Sequence, residues 1–348
     1  MGSITAAYLQ RAGIEVVVAD GWPENVEAIR KSGIRVKSPE EEFTAQVKAL
    51  HLDRLGTLGF EAETVFLAVK SYDTEEAVDV LAPHLASDGF VVSVQNGINE
   101  DRIAARVGSR RSLGCVVHMA GGLFSPGVAT RYSAGAWSTF TLGELGGEQS
   151  GRAKRLAAQL SAVGTTHLSG NIRGALWAKL ALNAMSNGIT GISGLGPGRL
   201  WTDPDVARVM AHIGGEAVLV CEAAGCRMEA VEPTGAPLPL QPDLLKRAHL
   251  GETAAMADVI ALLAEAGSRR VGLNENVSSL AQDLLKHRRT EIDYLNGHVI
   301  QEGSRLGIPT PFNRLLLGLV REVEKAELEP GAANLELLRA SNERAPSA

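Results

Sequence analysis

MGSITAAYLQRAGIEVVVAD (Met1–Asp20) reads as a helix feeding a strand. Ile4 to Ala12 is Ala-rich with helical spacing, Gly13 suits a helix C-cap, and EVVVAD (Glu15–Asp20) is β-branched and apolar. The pattern recurs downstream. ETVFLAVK (Glu63–Lys70) predicts a buried strand, and Asp73-Thr-Glu-Glu76 predicts a capping box that opens a helix to about Leu85. FVVSVQNG (Phe90–Gly97) predicts the next strand, Asn99 caps a helix through Val107, and LGCVVHMAG (Leu113–Gly121) predicts another strand. Continuous apolar strands separated by helices imply a parallel sheet covered on both faces.

Between Gly121 and Leu145 the pattern turns to alternating Thr, Ser, Tyr and Phe with many glycines, which predicts antiparallel strands. Beyond Ser169 the character changes. Trp177–Met185, Pro204–Ala224, Glu252–Ala266, Ser278–Gly303 and Pro311–Glu327 carry helical periodicity, and a Pro-rich loop runs from Val231 to Gln241. The expected organisation is an α/β Rossmann-like dinucleotide-binding domain over 1–168, an all-α catalytic domain over 169–328 and a frayed tail over 329–348.

Composition narrows the function. A chain of 348 residues suits two domains, and 45% hydrophobic with 21% charged residues is ordinary for a soluble globular protein. A formal charge of −6 argues against a nucleic-acid or anionic-membrane partner. Two windows without charge, Ser112–Thr130 and Leu180–Gly198, are long enough to span a bilayer, but their glycines, prolines and amides suit a cleft wall instead. Cys115, Cys221 and Cys226 fit neither a disulfide framework nor a metal knot, so they read as reduced thiols with no metal. The N-terminus carries no basic region followed by an apolar core, which makes the cytoplasm the default.

Asp20 lies 18 residues after Gly2, the spacing of a Rossmann unit in which the last glycine of G-x-G-x-x-G precedes the first helix and an acid meets the adenosine ribose. The strand and the two glycines that would come before are absent. Losing about five buried aliphatic side chains, at roughly 1.5–3 kcal/mol each, would rival the stability of a whole domain. The natural chain is therefore expected to extend about ten residues upstream, with Met1 an internal methionine.

WAKLALNAMSN (Trp177–Asn187) places Lys179, Asn183 and Asn187 at i, i+4 and i+8, so three polar groups share one stripe of an apolar helix. Such a stripe suits a cleft where a ketone is polarised by a proton donor and held by amides. The alternative is a lysine snorkelling to solvent beside two helix-terminal asparagines. A second constellation is RTEIDYLNG (Arg289–Gly297), where Thr290 to Asp293 also fits a capping box, and spacing leaves both readings open. Asn276 and Ser279 read as a loop leading into a helix, and Ser279 shares a face with Glu291 only if that helix bends or breaks.

These two segments, with MGS at the start, AVK (Ala68–Lys70), QNG (Gln95–Gly97) and GIPTPFN (Gly307–Asn313), make the chain similar to the ketopantoate reductase family from Met1 to about Glu324. The resemblance implies an N-terminal Rossmann domain, a C-terminal helical domain of the 6-phosphogluconate-dehydrogenase type and an active site between them. It implies NADPH-dependent reduction of 2-dehydropantoate to pantoate in pantothenate and coenzyme A biosynthesis, with dimerisation through the helical half by analogy. Position by position, Lys179 matches the family's proton donor and Glu291 its active-site glutamate. Asn183, Asn187, Asn276 and Ser279 match substrate contacts, while Lys70 and Asn96 match residues near the nicotinamide, beside Gly2 and Asp20 of the dinucleotide site. Asp20-Gly-Trp-Pro-Glu24 lacks an arginine for the NADP 2′-phosphate, and an acid there favours NADH. The competing readings are a reductase of another small 2-oxo acid and a non-catalytic cofactor-binding product of a shortened gene.

Overall fold

The computed structural model describes residues 1–133, 138–232, 239–270 and 278–341, with Ser138 described by its backbone alone. Two compact units divide the chain, Met1–Ile172 and Arg173–Ala348.

The first unit runs α1 (Gly2–Arg11), β1 (Val17–Asp20), α2 (Pro23–Ser32), β2 (Ile34–Lys37), β3 (Glu42–Ala45), β4 (Lys48–His51), β5 (Ala62–Leu67), α3 (Thr74–Leu81) and β6 (Leu85–Ser93). It continues with α4 (Glu100–Val107), β7 (Ser112–Val117), β8 (Gly121–Ser125), β9 (Val128–Arg131), β10 (Ser138–Glu144), α5 (Gly151–Leu160) and β11 (Thr165–Leu168). Gly13, at φ +83, terminates α1 as its position predicts. β5, β6 and β7 are parallel, β10 returns antiparallel to β7, and β11 joins at the edge, giving the order β11-β10-β7-β6-β5. The unit is thus α/β and Rossmann-like.

Strand alternation explains why both faces are covered. In the β6 segment Phe90, Val92 and Val94 join one apolar cluster with Ile4, Ile29, Phe140, Leu142, Leu156 and Leu160. Val91 points the other way and packs with Leu67, Val78, Leu81 and Ile103. β1 pairs in parallel with β4 alone, in a separate two-stranded sheet, so β1 and β5 share no hydrogen-bonded ladder. Their side chains nevertheless continue both layers: Val18 and Phe66 pack on the first cluster, Val17 and Val65 on the second. A third sheet, β3-β2-β9-β8, holds the antiparallel pairs expected after Gly121, though β2 and β9 run parallel.

The second unit is helical: α6 (Ile172–Ser193), α7 (Pro197–Trp201), α8 (Pro204–Ala223), α9 (Pro242–His249), α10 (Thr253–Ser268), α11 (Ser279–Leu285), α12 (Asn296–Leu306), α13 (Pro311–Glu324) and α14 (Leu335–Arg339). α8 is buried over most of its length. Gly214 and Gly215 allow this, because a Cβ on the first would lie 2.7 Å from Met185 Sδ and one on the second 2.8 Å from the Leu245 carbonyl oxygen. Helix axes therefore approach more closely than larger side chains permit.

Sequence and structure differ in four places. The single helical run over Ser278–Gly303 is broken: α11 stops at Leu285, His287 takes φ +49, and a 3₁₀ turn at Ile292–Tyr294 precedes α12. Neither Asp73 nor Asn99 makes a side-chain capping bond, so the predicted box and the predicted Asn99 cap do not form, Asn99 Oδ1 accepting instead from Arg102 Nη1 at 2.8 Å, and α3 ends at Leu81 before a 3₁₀ turn. The chain beyond 329 is packed up to Ser341, not frayed: Leu335 and Leu338 are buried, Asn334 Nδ2 donates to the Ile192 carbonyl at 2.8 Å, and Arg339 pairs with Asp203 at 2.5 Å.

One buried carboxylate ties the helical unit together. Pro311 has no N–H, and the next two amides at the start of α13, from Phe312 and Asn313, donate to Glu216 of α8 at 2.8 and 2.9 Å. Asn313 Nδ2 adds a bond to Glu216 at 2.7 Å, and Asn296 Nδ2 links Asn313 Oδ1 (2.9 Å) to the Ala184 carbonyl of α6 (3.2 Å).

Burial pushes Glu216 up to about 7, despite the opposing bonds from Asn313 and Phe312. A carboxyl with a raised pKa adds stability that is complete below its unfolded value of 4.5 and is lost as pH rises towards about 7. Wild type is expected to lose about 2–3 kcal/mol between pH 5 and pH 8 relative to Glu216→Gln, measured by urea denaturation. His212, which burial holds down at about 4, works in the opposite direction but is common to both proteins. A wild-type-to-variant difference that stays constant across pH would contradict this account of Glu216.

Candidate active site

α6 is apolar around most of its circumference and unbroken from Ile172 to Ser193, so its pitch alone aligns Lys179, Asn183 and Asn187. Asn183 is buried, while Lys179 and Asn187 are partly exposed. Ser186, seven residues after Lys179, lies on the same stripe and accepts a bond from the buried Trp201 indole at 3.3 Å. Desolvation, and secondly the charge of Arg270, bring Lys179 down to about 8. A lysine so tuned remains mostly cationic at neutral pH yet yields its proton far more readily than an exposed one.

Thr190, Ser278 and the backbone of Asn187 fasten α11 to this helix. Ser278 Oγ lies 2.5 Å from Thr190 Oγ1 and 3.3 Å from the Asn187 carbonyl, and it caps α11 by accepting from Ala281 N at 3.2 Å. Ser279, the first residue of α11, is thereby brought beside the end of the Lys179 stripe. Asn276 falls outside the described residues. Ser278 was not singled out in the sequence, although Ser-Ser ahead of a helical run is itself a capping signal.

Glu291 is 5% exposed and precedes the 3₁₀ turn at Ile292–Tyr294, its carbonyl accepting from Tyr294 N and Leu295 N. The capping-box alternative does not form around it. Thr290 Oγ1 accepts from Ile292 N at 3.2 Å, Thr290 N donates to Glu324 at 2.7 Å, and Asp293 pairs with Arg321 at 2.7 Å.

In the α/β unit the loops after β5 and β6 are laced together at the carboxyl ends of those strands. Ser71 Oγ donates to the Asn96 carbonyl at 2.9 Å, and Gln95 Nε2 donates to the Val69 carbonyl at 3.0 Å and to Thr74 Oγ1 at 2.9 Å. Lys70 and Asn96 are thus neighbours. Gly2 closes on the same place, since a Cβ there would lie 3.0 Å from Ala68 Cβ. Asp20 ends β1, with its two oxygens accepting from Trp22 N (2.9 Å) and Asn25 Nδ2 (2.6 Å). Arg30 is turned to the Ala49 carbonyl, 2.9 Å from its Nε. Strand carboxyl ends that carry an acid on β1 and a cation and amide after β5 and β6 fit a dinucleotide.

A Rossmann-like unit with these strand ends and a helical unit with a desolvated lysine define the class of nicotinamide-dependent oxidoreductases. Two family models match: ketopantoate reductase PanE/ApbA over residues 1–147 and ketopantoate reductase PanE/ApbA C terminal over residues 171–324. The chain belongs to the ketopantoate reductase family. It is 30% identical to a 2-dehydropantoate 2-reductase of Archaeoglobus fulgidus over 93% of this chain and 95% of that protein. A 2-dehydropantoate 2-reductase of Lactococcus lactis is 28% identical, over 93% and 95% of the two chains. Among solved structures, a PanE/ApbA family ketopantoate reductase from Ralstonia eutropha superposes with TM-score 0.73 at 30% identity, covering 93% of this chain and 95% of that one. A complex of D-mandelate dehydrogenase with NADH superposes with TM-score 0.75 at 25% identity, covering 94% and 96%.

Ser278→Ala removes both the cap of α11 and its bond to Thr190. The expected cost is about 1–2 kcal/mol in urea denaturation. A loss below about 0.3 kcal/mol would mean that this hydroxyl does not fasten α11.

Proposed function

We propose that the protein reduces the ketone of 2-dehydropantoate to the alcohol of pantoate, the reaction that feeds pantothenate synthesis, and that Lys179 donates the proton. The observation that carries this reading is the desolvated ammonium of Lys179 on one stripe with Asn183 and Asn187. A nicotinamide held by the α/β unit would supply the hydride that the ketone carbon takes up. Negative charge then grows on the oxygen, and an ammonium already in place stabilises it and releases a proton to it. Asn183, Asn187 and Ser279 supply hydrogen bonds that orient the substrate, Glu291 accepts from its hydroxyl, and Asn276 is assigned to substrate by the resemblance alone.

Gly2, Lys70 and Asn96 are assigned to the nicotinamide and pyrophosphate end of the cofactor, and Asp20 to the adenosine ribose. NADPH is the family expectation, but the local chemistry supports NADH. A carboxylate at the end of β1 accepts bonds from ribose hydroxyls and repels a 2′-phosphate, and Arg30 is engaged with a backbone carbonyl. A second substrate reading, another small 2-oxo acid, is favoured by the likeness to D-mandelate dehydrogenase.

Lys179→Ala is expected to lower kcat on 2-dehydropantoate by about 10²–10⁴-fold while cofactor binding, followed by nicotinamide fluorescence, is retained. The kcat/KM of the wild type should decline above about pH 8, where Lys179 of the free enzyme loses its proton. Undiminished turnover in the variant would remove Lys179 from the mechanism. Asp20→Asn is expected to raise the KM for NADH and lower that for NADPH, and opposite shifts would assign the cofactor preference elsewhere.

A further inference from the structure

Arg270 is a partly buried cation of the helical unit, and no motif points to it. It sits just past the end of α10, where Arg270 N donates to the Gly267 carbonyl at 2.9 Å. Gly267 lets this end of α10 press against α7: a Cβ there would lie 3.0 Å from Trp201 Cβ and 2.9 Å from the Gly198 carbonyl oxygen. The guanidinium is thereby laid over the Trp201 ring, 5.1 Å from its centroid. The indole is in turn fixed to Ser186, two turns along the stripe from Lys179. A chain of contacts therefore fixes where Arg270 stands relative to the ammonium.

Both cations are partly withdrawn from water, and the guanidinium disfavours the charge on the ammonium. The charge of Arg270 is the second cause of the lowered Lys179 pKa, and burial lowers that of Arg270 itself. Two desolvated cations within electrostatic reach are stabilised together when an anion binds between them. A 2-oxo acid has that anion in the right place, because its carboxylate carbon is bonded directly to the ketone carbon. An oxygen held by Lys179 sets the carboxylate next to it, and a planar guanidinium matches a carboxylate with two parallel bonds.

Resting on the reductase reading above, we propose that Arg270, braced by Trp201, binds the carboxylate of the substrate and selects 2-oxo acids over neutral ketones. Binding the anion also raises the proton affinity of Lys179, so the donor is fully charged when the acid is in place.

The test compares wild type, Arg270→Met and Arg270→Lys, with circular dichroism melting as the control for folding. Two readouts are taken: kcat/KM for 2-dehydropantoate against its methyl ester, and calorimetric titration with oxamate in the presence of NADH. The acid-over-ester preference of Arg270→Met is expected to fall about 10–100-fold, mostly through KM for the acid, with oxamate binding weakened in parallel and Arg270→Lys recovering part of both. A preserved preference with wild-type oxamate binding overturns the assignment of Arg270 and leaves the reductase reading intact. If wild type reduces no 2-oxo acid, the reductase reading fails, and the oxamate titration alone then decides whether Arg270 holds a carboxylate.

Discussion

The proton transfer proposed for Lys179 depends on keeping one ammonium partly dry. Water around Lys179 would return its pKa to that of an exposed lysine and make it a sluggish donor. What keeps it dry is the apolar remainder of α6, and what keeps α6 in place is the close approach of α8 at Gly214 with the bonds from Ser278 and Asn296. A polar stripe on a helix is stable only while its neighbours satisfy the amides and exclude solvent, and the buried network through Asn296, Asn313 and Glu216 meets that condition.

The same network gives a physical reason for the segments that carry the family resemblance. In TEIDYLNG and GIPTPFN, Asn296 and Asn313 are scaffold, joining α12 and α13 to α6 and α8. Two residues of that signature thus serve the packing of the helices. Glu216 is essential to that wall, yet nothing in the stretch around it marks it out, because its partners lie almost a hundred residues away.

Periodicity made much of the fold readable. The alternation in FVVSV and the 3.6-residue spacing around Lys179 are local properties, and β6 and α6 follow from them. The break between α11 and α12 was not readable, since His287 takes a left-handed conformation that side chains other than glycine seldom adopt, and its neighbours continue a helical pattern. The packed end of the chain was missed for a related reason: Leu335 and Leu338 make a short apolar pair that only tertiary contact can stabilise. Lys179, Asn183 and Asn187 were legible as a group because one helix carries them, whereas Ser279 entered through the family resemblance. The pairing of Arg270 with Trp201 joins residues far apart in sequence, and no spacing rule reaches that far.

The second glycine of the α8 pair has a consequence for how the helical unit tolerates change. Where helices nearly touch, an added methyl finds no flexible side-chain end to push aside: a Cβ on Gly215 would meet the Leu245 carbonyl oxygen and the His249 Cβ, both of α9, so the strain passes to the main chain. A position with no chemistry of its own is thereby among the least forgiving of the bundle.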